Sequence, residues 1–158
     1  PYAKQTTTKT SNKQGANFKF LDLSNHLFSK ISFTINTTDT YWRVGVKFSQ
    51  YEDAAKSQLL LSDNSTLIHL HKTDERLGLV QYKNSDSNKI IDKDLGVNLS
   101  TANLNFEVRY IGDQKAQIFV NNILIQEILV SVDTLKFLTL CTWADAYDYK
   151  IEIKDVFF

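Results

Sequence analysis

One cysteine, one proline, five glycines and no methionine stand among the 158 residues. The lone Cys141 excludes an internal disulfide framework and any zinc site built from several thiolates. Gly45, Gly78, Gly96 and Gly112 are isolated, so the chain has no glycine-rich loop to cradle a phosphate. Net charge is also missing, because 18 Lys and Arg balance 18 Asp and Glu. Sequence-independent nucleic-acid binding draws on a basic surplus that displaces counterions, so no nucleic-acid partner is expected. No apolar run approaches the ~20 residues that carry a helix across a bilayer, and the first residues have no signal-peptide core, so no membrane insertion is expected. What remains is 42% hydrophobic and 23% charged, the balance of one globular domain. A chain of this length buries about 70% of its unfolded surface and folds without a metal or disulfide, and no cofactor is expected.

Pro1 to Asn17 is mostly Thr, Lys, Gln, Ser and Asn. Such a stretch buries too little surface to offset its ordering entropy, so 1–17 is expected to be a flexible tail linking this unit to an upstream domain. Residues 18–158 then form a single domain. Its dominant hydrophobic period is two. Ile31, Phe33 and Ile35 alternate with Ser32, Thr34 and Asn36, and Trp42, Val44, Val46 and Phe48 alternate with Arg43, Gly45 and Lys47. The same pattern runs through Leu104–Tyr110 and Tyr147–Ile153. Each run presents one apolar and one polar face on a pleated strand. Shorter strands are predicted at Phe18–Leu23, Gln58–Ser62, Thr66–His71, Leu77–Lys83, Lys89–Asp92, Lys115–Val120, Ile123–Val130 and Leu135–Trp143. Asn tolerates positive φ, so Asn121-Asn122 predicts a two-residue hairpin turn without glycine. The one helical candidate, Tyr51–Lys56, is barely a turn and a half. A dozen strands at this spacing predict an all-β fold, an antiparallel sandwich or barrel.

Three segments carry a resemblance. Asn103–Asn122 runs as strand, Gly-Asp turn, strand and Asn-containing turn; Tyr149–Phe157 is a closing edge strand; Trp42-Arg43-Val44-Gly45-Val46 is an early central strand. Together they resemble the concanavalin A-like lectin/glucanase superfamily, which includes carbohydrate-binding modules and laminin-G-like sandwiches. The resemblance implies an all-β antiparallel β-sandwich of jelly-roll type whose concave sheet, or the loops at its rim, takes a ligand. It leaves function open among lectins, adhesion domains, glycosidases and interaction modules. Laminarinase-type members carry a Glu-x-Asp-x-x-Glu strand, and no such spacing occurs here. Glu152-Ile-Lys-Asp155 comes nearest and lacks the partner carboxylate. Nor is there a cluster of Asp, Asn and His like that of legume-lectin metal sites.

Residue by residue, catalysis finds thin support. Glycoside hydrolysis requires two carboxyls ~5–9.5 Å apart. Asp148 and Glu152, at i and i+4 on a strand, are too far apart without bending, and Asp92 and Asp94 sit in a Lys-flanked turn. His69 and His71 share a strand face at i and i+2, a spacing that suits a metal, but two ligands fall short of a site and no metal is expected. Cys141 lies in the apolar run Leu138–Trp143 and reads as a buried thiol. Three Asn-x-Ser/Thr triplets, at Asn36, Asn64 and Asn98, are chance products of an Asn-, Ser- and Thr-rich chain.

Aromatic side chains are the best lead. Sugar rings offer apolar C–H faces that stack on them, while sugar hydroxyls need paired donors and acceptors. Trp42 is expected in the core. Trp143 and Tyr147 belong to a strand end and loop that mix aromatics with carboxylates. The candidate ligand site is therefore Tyr41, Arg43, His69, His71, Arg109, Trp143 and Tyr147, presented outward on one sheet. The expected function is non-catalytic recognition of carbohydrate. The alternative is a protein-interaction or sensory accessory domain of a larger bacterial protein, and a glycoside hydrolase is a remote third. The expected partners are a carbohydrate or protein ligand and the covalently linked upstream domain. The single cysteine favours a cytoplasmic location and glycan binding a secreted one, so localisation stays open.

Overall fold

A computed structural model describes residues 5–9, 14–22, 30–50, 66–83, 89–96, 99–131, 135–144 and 149–158. The described residues form twelve strands: β1 (Gln5–Lys9), β2 (Gln14–Asp22), β3 (Lys30–Asn36), β4 (Trp42–Ser49), β5 (Thr66–Lys72), β6 (Leu77–Lys83), β7 (Lys89–Asp94), β8 (Leu104–Gly112), β9 (Lys115–Val120), β10 (Ile123–Leu129), β11 (Phe137–Ala144) and β12 (Tyr149–Phe157). They assemble into two antiparallel six-stranded sheets. The first runs in the order β1-β12-β3-β8-β9-β10, the second β2-β11-β4-β5-β6-β7. This is an all-β antiparallel sandwich, one of the two architectures that the period-two pattern allows and the one that the resemblance implies.

Alternation decides which side chains meet between the sheets. Ile31, Phe33 and Ile35 of β3 are fully buried, and so are Phe106 and Val108 of β8 opposite them. Phe33 and Phe106 are direct cross-strand partners with ring centroids 5.4 Å apart, a tilted aromatic pair. From the second sheet come Trp42, Val44, Val46 and Phe48 of β4 and Ile68 and Leu70 of β5. Trp42 is a core residue, as expected. Gln5–Lys9, within the stretch expected as a tail, forms strand β1, paired from Gln5↔Ile153 to Lys9↔Tyr149, and β2 begins at Gln14. A strand is held by backbone hydrogen bonds, and the β-branched run Thr6-Thr7-Thr8 suits one without apolar side chains. The helical candidate at 51–56 and the strand expected at 58–62 lie outside the described residues.

Positive φ locates the turns. Asn121 and Asn122 have φ of 50° and 64° between β9 and β10, the left-handed pair that a tight hairpin demands. Asn121 does more than turn: its side-chain oxygen accepts from the backbone N–H of Asn105 at 2.9 Å, tying the hairpin to β8. Asn122→Gly is therefore expected to raise stability by about 0.5–1 kcal/mol, a few degrees in Tm. Asn121→Gly should lower it by about 1 kcal/mol through the lost cross-strand bond. Thermal unfolding of the two variants would show shifts of opposite sign.

Candidate functional site on the outer face of the second sheet

The register of β4, β5, β6 and β7 assembles the site. Arg43 lies opposite His71, which lies opposite Gly78, which lies opposite Asp94; one row along run Gly45, His69, Val80 and Asp92. These positions alternate with the core residues, so they share the outer face of the second sheet. Two residues before Arg43, Tyr41 meets His71 edge to face, with ring centroids 5.7 Å apart at 84°. The Arg43 guanidinium donates to the Tyr41 hydroxyl at 3.5 Å, and the His69 and His71 rings stand 6.2 Å apart. Tyr41, Arg43, His69 and His71 therefore come together as one cluster.

The loop that carries Tyr41 is tethered. Thr37 donates through its hydroxyl to the Lys150 carbonyl at 2.7 Å and accepts from the Asp39 N–H at 3.0 Å, while the Thr101 hydroxyl donates to the Thr37 carbonyl at 3.1 Å. Across the sandwich, the buried Tyr149 hydroxyl donates to the Arg43 carbonyl at 3.0 Å. Both sheets thus hold the start of β4, so the Tyr41 loop is fixed from two sides.

Burial divides the face. His69 is 1% exposed, Lys47 2%, and Ser49 and Thr139 0%. Tyr41, Arg43 and His71 are half-buried. The polar face of β4 and β5 is therefore closed along most of its length and open at one end, where the sequence reading expects it to be presented outward throughout. Gly45 sits in the closed part. A Cβ there would come within 2.4 Å of the Ile68 carbonyl oxygen and 2.5 Å of His69 Cβ, so the bare glycine lets β4 and β5 approach closely beneath the imidazole.

A fifth side chain joins the open end. The turn between β5 and β6 is closed by Thr73 N–H donating to the Arg76 carbonyl at 2.7 Å. Its Arg76 guanidinium lies across Gly78, where an added Cβ would sit 3.2 Å from the guanidinium carbon, and pairs with Asp92. The hydrogen bond to Asp92 holds the already high Arg76 pKa higher still. Sequence reasoning missed Arg76, although Arg-x-Gly at a strand start, a long cation two residues from a bare position on the same face, is a usable signal.

Arg109 does not belong here. It lies on β8 in the first sheet, exposed, with its guanidinium 2.7 Å from Glu107 and 4.4 Å above the Phe119 ring. The expectation that one sheet holds Arg43, His69, His71 and Arg109 is therefore corrected: strand pairing sends β8 to β3 and β9. Trp143 is in β11, one residue past the Thr142↔Val44 pair, so its backbone runs beside Arg43; its side chain and all of Tyr147 lie outside the described residues. Among the described residues no three His, Cys, Asp or Glu side chains gather as a metal site.

Solved structures share this architecture. A legume lectin-like domain from Entamoeba histolytica superposes with a TM-score of 0.58 at 12% identity, covering 99% of this chain and 89% of its own. Carbohydrate-binding module CBM66 from Bacillus subtilis gives 0.55 at 13%, covering 94% and 97%. A β-glucanase from Bacillus licheniformis gives 0.50 at 8%, covering 87% and 67%. The fold is the concanavalin A-like sandwich. Identities this low establish the architecture and nothing of the chemistry, and concanavalin A-like sandwiches here include both binders and a hydrolase. No protein-family model matches the chain, and no curated protein matches it in sequence.

Proposed function

We propose that this concanavalin A-like sandwich is a non-catalytic carbohydrate-recognition module whose ligand enters at the open end of the second sheet. The observation that carries the reading is the Tyr41–Arg43–His71 cluster, half-buried where, among the described residues, the closed polar face of β4 and β5 opens, with Arg76 at its rim. Tyr41 supplies an aromatic surface for the C–H face of a sugar, and Arg43, His71 and Arg76 supply hydrogen-bond donors for its hydroxyls. Trp143, whose strand runs beside Arg43, is proposed as a second stacking surface and Tyr147 as a further contact. His69, deep under the face, braces His71 and contributes through it. Arg109 takes no part.

The reading is non-catalytic because hydrolysis needs two convergent carboxyls, and of the two β7 carboxylates in these rows Asp92 is engaged by Arg76. The Asp94 carboxylate accepts from the Gly96 N–H at 2.8 Å and closes its own turn.

A glycan array with the intact chain would identify the sugar, and titration calorimetry would then compare variants. Tyr41→Ala and His71→Ala are expected to weaken binding at least about tenfold, ~1.4 kcal/mol each, with little change in Tm. Arg109→Ala should bind as the parent does. An array on which no glycan is retained, or equal losses for Arg109→Ala and His71→Ala, would overturn the assignment.

A further inference from the structure

Among the described residues, the large apolar side chains left exposed are Ile90, Ile111, Ile123, Leu124, Leu129 and Phe157. Four of them line a single flank of the sandwich. Ile123, Leu124 and Leu129 belong to β10, the last strand of the first sheet, and Ile90 to β7, the last strand of the second. A hydrogen bond shows that these two edges lie on the same side: the Lys93 ammonium of β7 donates to the Ile125 carbonyl of β10 at 2.8 Å. An edge strand offers a row of backbone donors and acceptors to any other strand, and apolar side chains along it strengthen such pairing.

The sequence of β10 is complementary to itself. It reads Ile-Leu-Ile-Gln-Glu-Ile-Leu from Ile123 to Leu129. Antiparallel pairing with a second copy, centred on Gln126, would set Ile123 against Leu129 and Leu124 against Ile128 of that copy. A two-fold contact of this kind would close both edges at once and join two six-stranded sheets into one. A second copy of this chain is therefore the partner that β10 fits.

Two features oppose that pairing. The β9–β10 register shifts between Leu124 and Gln126, so β10 carries a bulge at Ile125 in the middle of the edge. Lys93 occupies the Ile125 carbonyl at the same place. In the two-fold arrangement the two Ile125 positions would stand roughly 8 Å apart, from strand spacing and rise. Two ammonium groups would meet there within about one Debye length, and each would lose its carbonyl acceptor. Bulges and edge lysines are recognised means by which sheets avoid edge-to-edge association.

We propose that Lys93 is a guard residue: reaching across from the other sheet, it blocks the self-complementary edge β10 and keeps the chain from pairing with a second copy of itself. The guard is the positive charge held at the bulge, so the conservative replacement should preserve it and a neutral one should not.

Sedimentation equilibrium over a concentration series tests this on the whole chain. The parent and Lys93→Arg should sediment with the mass of one chain at every concentration. Lys93→Ala should double in mass as concentration rises, and adding Leu124→Lys to it should restore the monomer. Lys93 and Leu124 are both exposed, so these variants keep the fold, which circular dichroism checks. A parent that is already dimeric, a Lys93→Ala variant that stays monomeric, or a Lys93→Arg variant that dimerises would each overturn the proposal. So would a Lys93→Ala dimer that Leu124→Lys leaves intact, because the contact would then not run through β10.

Discussion

Gly45→Ala is expected to cost about 3 kcal/mol or more, which for a chain of this size is a fall in Tm of about 10 °C. The reason is the close approach of two central strands. A methyl group at Gly45 would overlap the Ile68 carbonyl oxygen at 2.4 Å and His69 Cβ at 2.5 Å, and neither is the movable end of a side chain. Relief requires β4 and β5 to separate in the middle of a sheet whose other face is the core, so the cost spreads into the packing of Val44, Val46 and Ile68. Gly78 supplies the control on the same face. There the methyl group meets the Arg76 guanidinium at 3.2 Å, and a flexible side chain can swing away. Gly78→Ala should therefore change stability by no more than about 0.5 kcal/mol, while moving Arg76 off its seat and weakening the proposed carbohydrate binding. Chemical denaturation of the two variants checks the contrast; equal destabilisation would mean that β4 and β5 do not meet as closely as described.

Phe106→Ala carries the second large effect, about 3–5 kcal/mol. Phe106 is 1% exposed and faces Phe33 across the β3–β8 pair near the middle of the first sheet. Truncation removes the ring's transfer free energy, leaves a cavity between two sheets that cannot collapse independently, and breaks the aromatic pair. Phe106→Leu should recover more than half of the loss, because volume-conserving apolar changes are tolerated best. Measured against marginal domain stability, the alanine variant would sit close to unfolding at 37 °C. A loss below about 1.5 kcal/mol by urea denaturation would mean that the two sheets can close over the missing ring.

Much of the architecture is legible along the chain because its cause is local. The apolar residues of β3, β4, β8 and β12 recur every second position, and a pleated strand turns that period directly into a buried face. Trp42 falls in phase with Val44, Val46 and Phe48, which is why its burial can be read in advance. Asn121-Asn122 is legible for a similar reason: a two-residue turn needs positive φ twice, and Asn is the residue after glycine that accepts it. Part of the candidate site is local too. His69 and His71 are two residues apart on β5 and must share a face, and Tyr41 stands two residues before Arg43 at the entry to β4.

Pattern alone misplaces what depends on partners. β1 is an edge strand held by backbone bonds, and its Thr-rich sequence carries no apolar period to announce it. Arg109 has the same alternating context as Arg43, yet β8 pairs with β3 and β9 while β4 pairs with β11 and β5. The seat of Arg76 on Gly78 and the guard contact from Lys93 to Ile125 join residues whose relation appears only once β6, β7 and β10 are placed.

By itself, then, the sequence determined the strand character of the described regular elements, which face of each long strand is apolar, and where the Asn121-Asn122 hairpin turns. Those properties follow from side-chain period and from backbone dihedral preference, which act over a few residues. Strand order, the division of the polar face into closed and open parts, and the meeting of Tyr41, Arg43, His71 and Arg76 were decided by tertiary structure. Hydrogen-bonded pairing between strands is satisfied equally well by many partners, and only the packing of the whole sandwich selects among them.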